Sequence, residues 1–424
     1  MKAIFFDYWT LGIDNFLPLK EHLEKLQVDF RLVHLGSFRG QCPPTEVVAG
    51  IRCFDFRFYH TFFFLKILQQ EKPDIVFSLN TTHFFDRVLV LGCRFLGIKT
   101  AFLMHGEHAY REEDKSSVTL TFTQKYLVRG RNVKFYLFAL VNYCSILMRT
   151  GRFNPVNVLK VFTSYIFKPT ASYYPLKADE LHHDYCFVPS LYFREYYQSL
   201  GYKDVDAVGH FRLYRTKLAA DGRNLRKEDL PERIRTVVES GTPYAVYIED
   251  SFPETGMKGF TLAHRNETIR RLSEKCRSMG LRLVVKLHPT TIPETIVADD
   301  SVIVVHRADL DTVLYYCSFV FGTISTAIIN AIILGKDVFI LRWDKFLTLP
   351  PHYLNLNIAT PMDSFEAPLN SRITDADRRR FLEEHVFPSG NPAEAIMNRI
   401  APGLRWRKED VPLTRNEKSV HSRL

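Results

Sequence analysis

At 424 residues the chain exceeds the roughly 250–300 at which one hydrophobic core stops growing, so two domains are expected. Its 46% hydrophobic and 24% charged residues are those of an ordinary globular protein, while a net charge of +9 points to nucleic acid, an anionic membrane or an acidic substrate. Arg-Gly repeats, zinc-finger spacing and a ribonucleoprotein aromatic motif are all missing, which leaves charge alone in favour of a nucleic-acid-binding protein.

Ala3–Phe6 reads as a buried first strand; this apolar run is stopped by Asp7 and is too short for a signal peptide. Leu17–Leu26 has helical spacing, and Phe30–Leu35 is a second strand. A helix over Phe62–Gln70, a strand over Ile75–Leu79, a helix over Asp86–Leu96 capped by Gly97 and a strand over Thr100–Met104 follow. Tyr185–Pro189 and Val205–Gly209 are strands around a helix over Leu191–Leu200, and the polar stretch Leu218–Asp229 reads as the interdomain linker. A second unit has strands over Ala245–Ile248, Leu283–Leu287, Val302–Val305, Phe319–Phe321 and Val338–Leu341. Its helices cover Leu262–Met279, Leu310–Tyr316, Ser325–Leu334 and Asp375–His385. Alternation of this kind predicts α/β architecture with doubly wound parallel sheets: a first domain over 1–217, a second over 230–400 and a polar tail over 401–424.

From Lys115 to Ala178 the chain has no Asp or Glu. Arg129, Arg131, Lys134, Arg149, Arg152, Lys160 and Lys168 flank aromatic and aliphatic runs there, as in a segment lying on an anionic bilayer surface. A pair of aromatic-rich core helices with solvated lysines is the competing interpretation. No uncharged apolar stretch reaches about 18 residues, so no spanning helix is expected. Seven cysteines, odd in number and without a C-x-x-C pair, argue against a disulfide framework or structural zinc and for reduced thiols in the cytoplasm.

Chemistry is suggested at four strand ends. His288-Pro289 follows the strand at Leu283–Leu287, where open α/β sheets bind ligands. Gly322-Thr323-Ile324-Ser325-Thr326 forms a strand, tight turn and helix start; Ser325 or Thr326 can cap the helix, and its amides and hydroxyls suit an anion. Together with Glu249-Asp250-Ser251, after the first strand of the second domain, these residues make a candidate phosphate site. Ser251 would touch phosphate, and Glu249 and Asp250 would hold an acceptor or a metal. In the first domain His105-Gly106-Glu107 follows a strand, and either His105 or Glu107 is a plausible general base. Each has a bland alternative: a strand end, a helix cap, a polar loop or a satisfied histidine.

Ordered along the chain, His105-Gly106, Phe187-Val188-Pro189, Leu200-Gly201-Tyr202, Val208-Gly209-His210-Phe211-Arg212, His288-Pro289 and Ser325-Thr326 with Leu334-Gly335-Lys336 resemble bacterial surface-polysaccharide glycosyltransferases of the GT-B fold. Polysialyltransferases, capsule Kdo transferases and CDP-glycerol glycerophosphotransferases of teichoic acid synthesis are the nearest in pattern. The resemblance implies two Rossmann-like domains facing a cleft. It implies that His288, Ser325 and Thr326 hold the phosphate of a cytidine nucleotide, and that His105 or Glu107 serves as base. The function expected is an inverting, metal-independent glycosyltransferase without cofactor, peripheral on the inner face of the cytoplasmic membrane. It would move a CMP-linked acid sugar such as Kdo or sialic acid to a lipid-linked surface glycan. A CDP-polyol phosphotransferase and a sugar-nucleotide 2-epimerase are the enzymatic alternatives.

Overall fold

The computed structural model describes residues 1–8, 10–38, 40–81, 83–104, 122–167, 178–221, 225–255, 260–323, 325, 327–342, 357–371 and 373–403. The first sheet contains β1 (Lys2–Asp7), β2 (Asp29–His34), β3 (Thr45–Val48), β4 (Ile51–Asp55), β5 (Ile75–Ser78), β6 (Lys99–Leu103), β7 (Tyr185–Val188) and β8 (Val205–Ala207). Its order is β3-β4-β2-β1-β5-β6-β7-β8, parallel except for the antiparallel pairing of β3 with β4. The second contains β9 (Tyr244–Ile248), β10 (Arg282–Lys286), β11 (Val302–Val305), β12 (Phe319–Gly322), β13 (Asp337–Leu341) and β14 (Thr360–Met362), ordered β11-β10-β9-β12-β13-β14 and parallel throughout.

The strands are apolar because both faces are covered. Along β1, Ala3 and Phe5 join one core cluster while Ile4 and Phe6 join the other, as alternation of side chains across a sheet requires. In β9, Tyr244, Val246 and Ile248 face one cluster, and Ala245 and Tyr247 the other. The helices on these faces are α1 (Leu17–Lys25), α2 (Phe64–Glu71), α3 (Phe84–Phe95), α4 (Phe122–Arg149), α5 (Pro155–Phe167), α6 (Leu191–Ser199) and α7 (Phe211–Asp221). In the second half come α8 (Glu232–Glu239), α9 (Phe252–Thr255), α10 (Leu262–Ser278), α11 (Leu310–Tyr315) and α12 (Ala327–Ile333), then helices over Asp375–Phe381 and Pro392–Ile400.

Two departures from the sequence expectation concern the boundary between halves. Leu218–Asp221 belongs to α7 rather than to a linker, and Leu213 of α7 lies in the second core. Thr216 of α7 donates to Asp311 (2.9 Å), and Asn330 of α12 donates to both, at 2.9 and 2.8 Å, so a polar network ties α7 to the second sheet's helices. Conversely, Ala393, Ile396, Met397 and Ile400 of the last helix join the first core beside Leu19 and Leu23. Arg399 then pairs with Asp204 and Asp206 at 2.7 and 3.0 Å. The chain therefore passes between the halves twice, near 209 and near 388. The passages touch: His210 N–H donates to Val386 O at 2.8 Å. Gly209 has φ +99°, and a Cβ there would lie 2.8 Å from Val386 O, so only glycine fits.

The hairpin β3–β4 and the edge strand β14 are additions that the periodicity missed. The hairpin turns on Ala49 and Gly50, both at positive φ.

Candidate functional site

Strand order reverses in the second sheet between β9 and β12, with β10 on the far side of β9. Open α/β sheets hold ligands beyond the carboxyl ends of strands at such a switch point. Three of the singled-out stretches emerge there side by side: His288 beyond β10, Asp250 and Ser251 beyond β9, and Thr323 beyond β12. His288 and Thr323 do not follow neighbouring strands. With β9 between them, they start about 10 Å apart. The β9 loop bridges the gap, because Ser251 Oγ meets His288 Nδ1 at 3.1 Å and Asp250 accepts a hydrogen bond from the Thr323 hydroxyl.

The imidazole of His288 is held in one orientation. Thr290 N–H donates to Nδ1 at 3.2 Å, and the Thr290 hydroxyl donates to Ser251 Oγ at 2.6 Å. Nδ1 thus accepts, the ring proton sits on Nε2, and the exposed ring presents that N–H outward. Partial burial and the nearby Lys286 lower its pKa below the ordinary imidazole value, against the opposing pull of Glu249. The ring is therefore neutral at pH 7, a hydrogen-bond donor rather than a cation.

Glu249 does not face a ligand. It is buried, its Oε1 accepts from Arg265 Nη1 at 3.2 Å, and its Oε2 accepts from the Thr291 hydroxyl at 2.6 Å and from His288 N–H at 3.4 Å. Arg265, buried in α10, also reaches Glu254 at 2.7 Å and Thr295 at 2.5 Å. These contacts fix the 288–295 loop from beneath. Sequence reading missed Thr290, Thr291 and Arg265. The two threonines after His-Pro were a usable signal; nothing in the spacing links Arg265 to the loop.

Ser325 Oγ accepts at 3.4 Å from the N–H of Ala327, the first residue of α12, which places Ser325 one position before the helix's N-cap. Pro289 is exposed and Gly322 is buried at the end of β12. Thr326 lies outside the described residues, as do His105, Gly106 and Glu107, which follow β6 by two to four positions. His183, in the loop before β7, is buried; its Nε2 lies 2.9 Å from Ser78 Oγ, and burial pushes its pKa down to about 4.

The acid-free segment is built into the first domain more deeply than a surface insertion. Phe138, Ala139, Tyr143, Ile146 and Leu147 form one face of α4, packed with Phe84, Phe85 and Val88 of α3 in the core. Asn142 accepts from Phe64 N–H at 2.7 Å, satisfying a donor in the first turn of α2. The opposite face exposes Val133, Leu137, Val141 and Met148, and α5 exposes Val156 and Leu159. Lys134, Arg149, Arg152 and Lys160 are described on or between these helices. Arg129 and Arg131 fall on α4 with side chains outside the described residues, and Lys168 lies outside them altogether. No helix among the described residues is long and apolar enough to cross a membrane.

No protein-family model and no curated protein sequence matches the chain. Solved structures do match in fold. UDP-GlcNAc 2-epimerase from Methanocaldococcus jannaschii, in complex with UDP-GlcNAc and UDP, superimposes with a TM-score of 0.52 at 15% identity, covering 95% of this chain and 100% of that one. The Neisseria meningitidis 2-epimerase bound to UDP-GlcNAc gives 0.52 at 12% identity over 95% and 100% of the two chains. The calicheamicin glycosyltransferase CalG4 gives 0.51 at 13% identity over 95% and 99%. The protein thus has the fold shared by GT-B glycosyltransferases and UDP-GlcNAc 2-epimerases, two Rossmann-like domains built on sheets of eight and six strands.

Proposed function

We propose that the protein is a nucleotide-sugar enzyme of the GT-B fold, and specifically an inverting glycosyltransferase whose donor is a CMP-linked acid sugar such as Kdo or sialic acid. The observation carrying this reading is the switch-point cluster: an outward His288 Nε2–H, the Ser251 hydroxyl against its other nitrogen, and the Asp250–Thr323 pair on the adjoining strands. In this reading His288 and the hydroxyls of Ser251, Ser325 and Thr326 hydrogen-bond the donor phosphate, while Asp250 accepts from a donor hydroxyl. The acceptor hydroxyl attacks the anomeric carbon, the bond from that carbon to the phosphate oxygen breaks, and the acceptor's proton passes to His105 or Glu107. Neutral donors aimed at the departing phosphate stabilise its charge without requiring a divalent ion.

The acceptor in this proposal is a lipid-linked glycan, met at an anionic membrane surface by the outer face of α4 and α5. Support comes from the exposed apolar row flanked by Lys134, Arg149 and Lys160 in a stretch with no acid. Co-sedimentation with phosphatidylglycerol vesicles, reduced by Leu137→Asp and absent with neutral vesicles, is the expected result.

Calorimetric titration of CMP, CDP and UDP against the wild type and His288→Ala tests the site. One nucleotide should bind, and the variant should bind it at least tenfold more weakly; equal affinity would remove His288 from the site. A 2-epimerase reading is favoured equally by the fold neighbours. Conversion of UDP-GlcNAc to its 2-epimer without any acceptor would establish it in place of transfer.

A further inference from the structure

Away from the switch point, one imidazole, one thiol and one carboxylate converge: His34, Cys42 and Asp55. His34 ends β2 and Asp55 ends β4, and the two sit opposite each other in the register of these paired strands. Cys42 comes from the loop between. His34 and Asp55 are fully buried, whereas Cys42 is partly exposed.

The spacing is that of a metal's ligand shell. His34 Nδ1 and Asp55 Oδ2 are 3.6 Å apart, and Cys42 Sγ lies 3.5 Å from the same oxygen. Tetrahedral Zn²⁺, with its usual bond lengths, separates a nitrogen from an oxygen ligand by about 3.3 Å and a sulfur from an oxygen by about 3.6 Å. All three donor atoms fall within 4.8 Å of one another, so the remaining edge closes with a loop movement of about 1 Å. Gly36 keeps the space between them open. Its φ is not positive, so the backbone does not demand glycine, yet a Cβ there would lie 2.9 Å from His34 Nδ1 and 3.3 Å from Cys42 Sγ.

A cation already stands at this cluster. Arg57 Nε donates to Asp55 Oδ1 at 2.6 Å, and Nη2 donates to Cys42 O at 2.7 Å and lies 3.5 Å from its Sγ. The Arg57 side chain is 46% exposed and can move into water.

We infer that His34, Cys42 and Asp55 form a Zn²⁺ site, with a fourth position for water, and that Arg57 and the ion compete for Asp55. Imidazole, thiolate and carboxylate together suit zinc among the divalent ions. On binding, the Cys42 thiol releases its proton to solvent as the S–Zn bond forms, and Gly36 N–H gives up the 3.1 Å hydrogen bond it makes to His34 Nδ1. The ion then pins the 36–44 loop to the carboxyl edge of β2 and β4. No cysteine spacing in the sequence announces such a site, because its ligands come from two strand ends and a loop.

The test is titration of the chelator-stripped full-length protein with Co²⁺, followed by displacement with Zn²⁺. The expected result is one equivalent showing thiolate-to-cobalt charge transfer and ligand-field bands of tetrahedral intensity. Cys42→Ser should lose the charge-transfer band and bind Zn²⁺ at least tenfold more weakly. Arg57→Gln, a change at an exposed side chain, should bind Zn²⁺ several times more tightly because the competing cation is gone. Wild type without the thiolate band, a band that survives in Cys42→Ser, or no tightening in Arg57→Gln would each overturn the inference.

Discussion

Two histidines, one in each half, stand at the carboxyl end of a parallel strand and meet opposite fates. His288, beyond β10, is followed by Pro289-Thr290-Thr291; Thr290 turns back to the ring's Nδ1 and leaves Nε2 outward. His34, at the end of β2, is followed by a tight 3-10 turn over Gly36–Phe38, and the ring is sealed against Asp55 and Cys42. Burial lowers the pKa of both. A strand-end histidine is therefore not a site in itself; the loop after it decides whether the ring is exposed or buried. The comparison also separates two kinds of polar cluster, one open and rich in hydroxyls, the other closed and rich in metal-ligand atoms.

Substitutions at the two positions should split cleanly. His34→Ala removes a buried, hydrogen-bonded ring and should cost about 2–4 kcal/mol of stability by denaturant titration, with nucleotide affinity unchanged. A third histidine, this one buried, sharpens the point through pH. His183 titrates at about 4 in the native state because burial disfavours its charged form. Unfolded imidazole titrates near 6.5, so the unfolded chain binds the extra proton first, and stability falls as pH drops from about 6.5 to 4, by roughly 3 kcal/mol in all. His183→Gln should flatten that slope; an unchanged pH profile would place the acid sensitivity elsewhere.

Next in size is His288→Ala. It should weaken nucleotide binding ten- to a hundredfold, about 1.4–2.8 kcal/mol, and shift the thermal midpoint little. Ser251→Ala removes one hydroxyl from Nδ1 and should cost a few-fold in affinity, about 1 kcal/mol. The smallest effect concerns the contact between the halves. Arg399→Ala breaks half-exposed pairs with Asp204 and Asp206, and should lower stability by less than about 1 kcal/mol. A larger loss would mean that these pairs, rather than the apolar face of the helix over Pro392–Ile400, dock it on the first domain.

The sequence by itself determined the repeating strand–helix pattern, because buried parallel strands need continuous apolar runs and each crossover needs an amphipathic helix. It also picked out His288, Ser251, Asp250 and Thr323, because a polar residue directly after such a run can only sit at the sheet's carboxyl edge. Their union across β9, the burial of Glu249 under Arg265, and the meeting of His34, Cys42 and Asp55 were decided by tertiary structure alone. So was the exchange of α7 and the last helix between the two cores. Strand order, unlike strand identity, is set by packing between residues far apart in the chain, and no local pattern of side chains encodes which strand ends become neighbours.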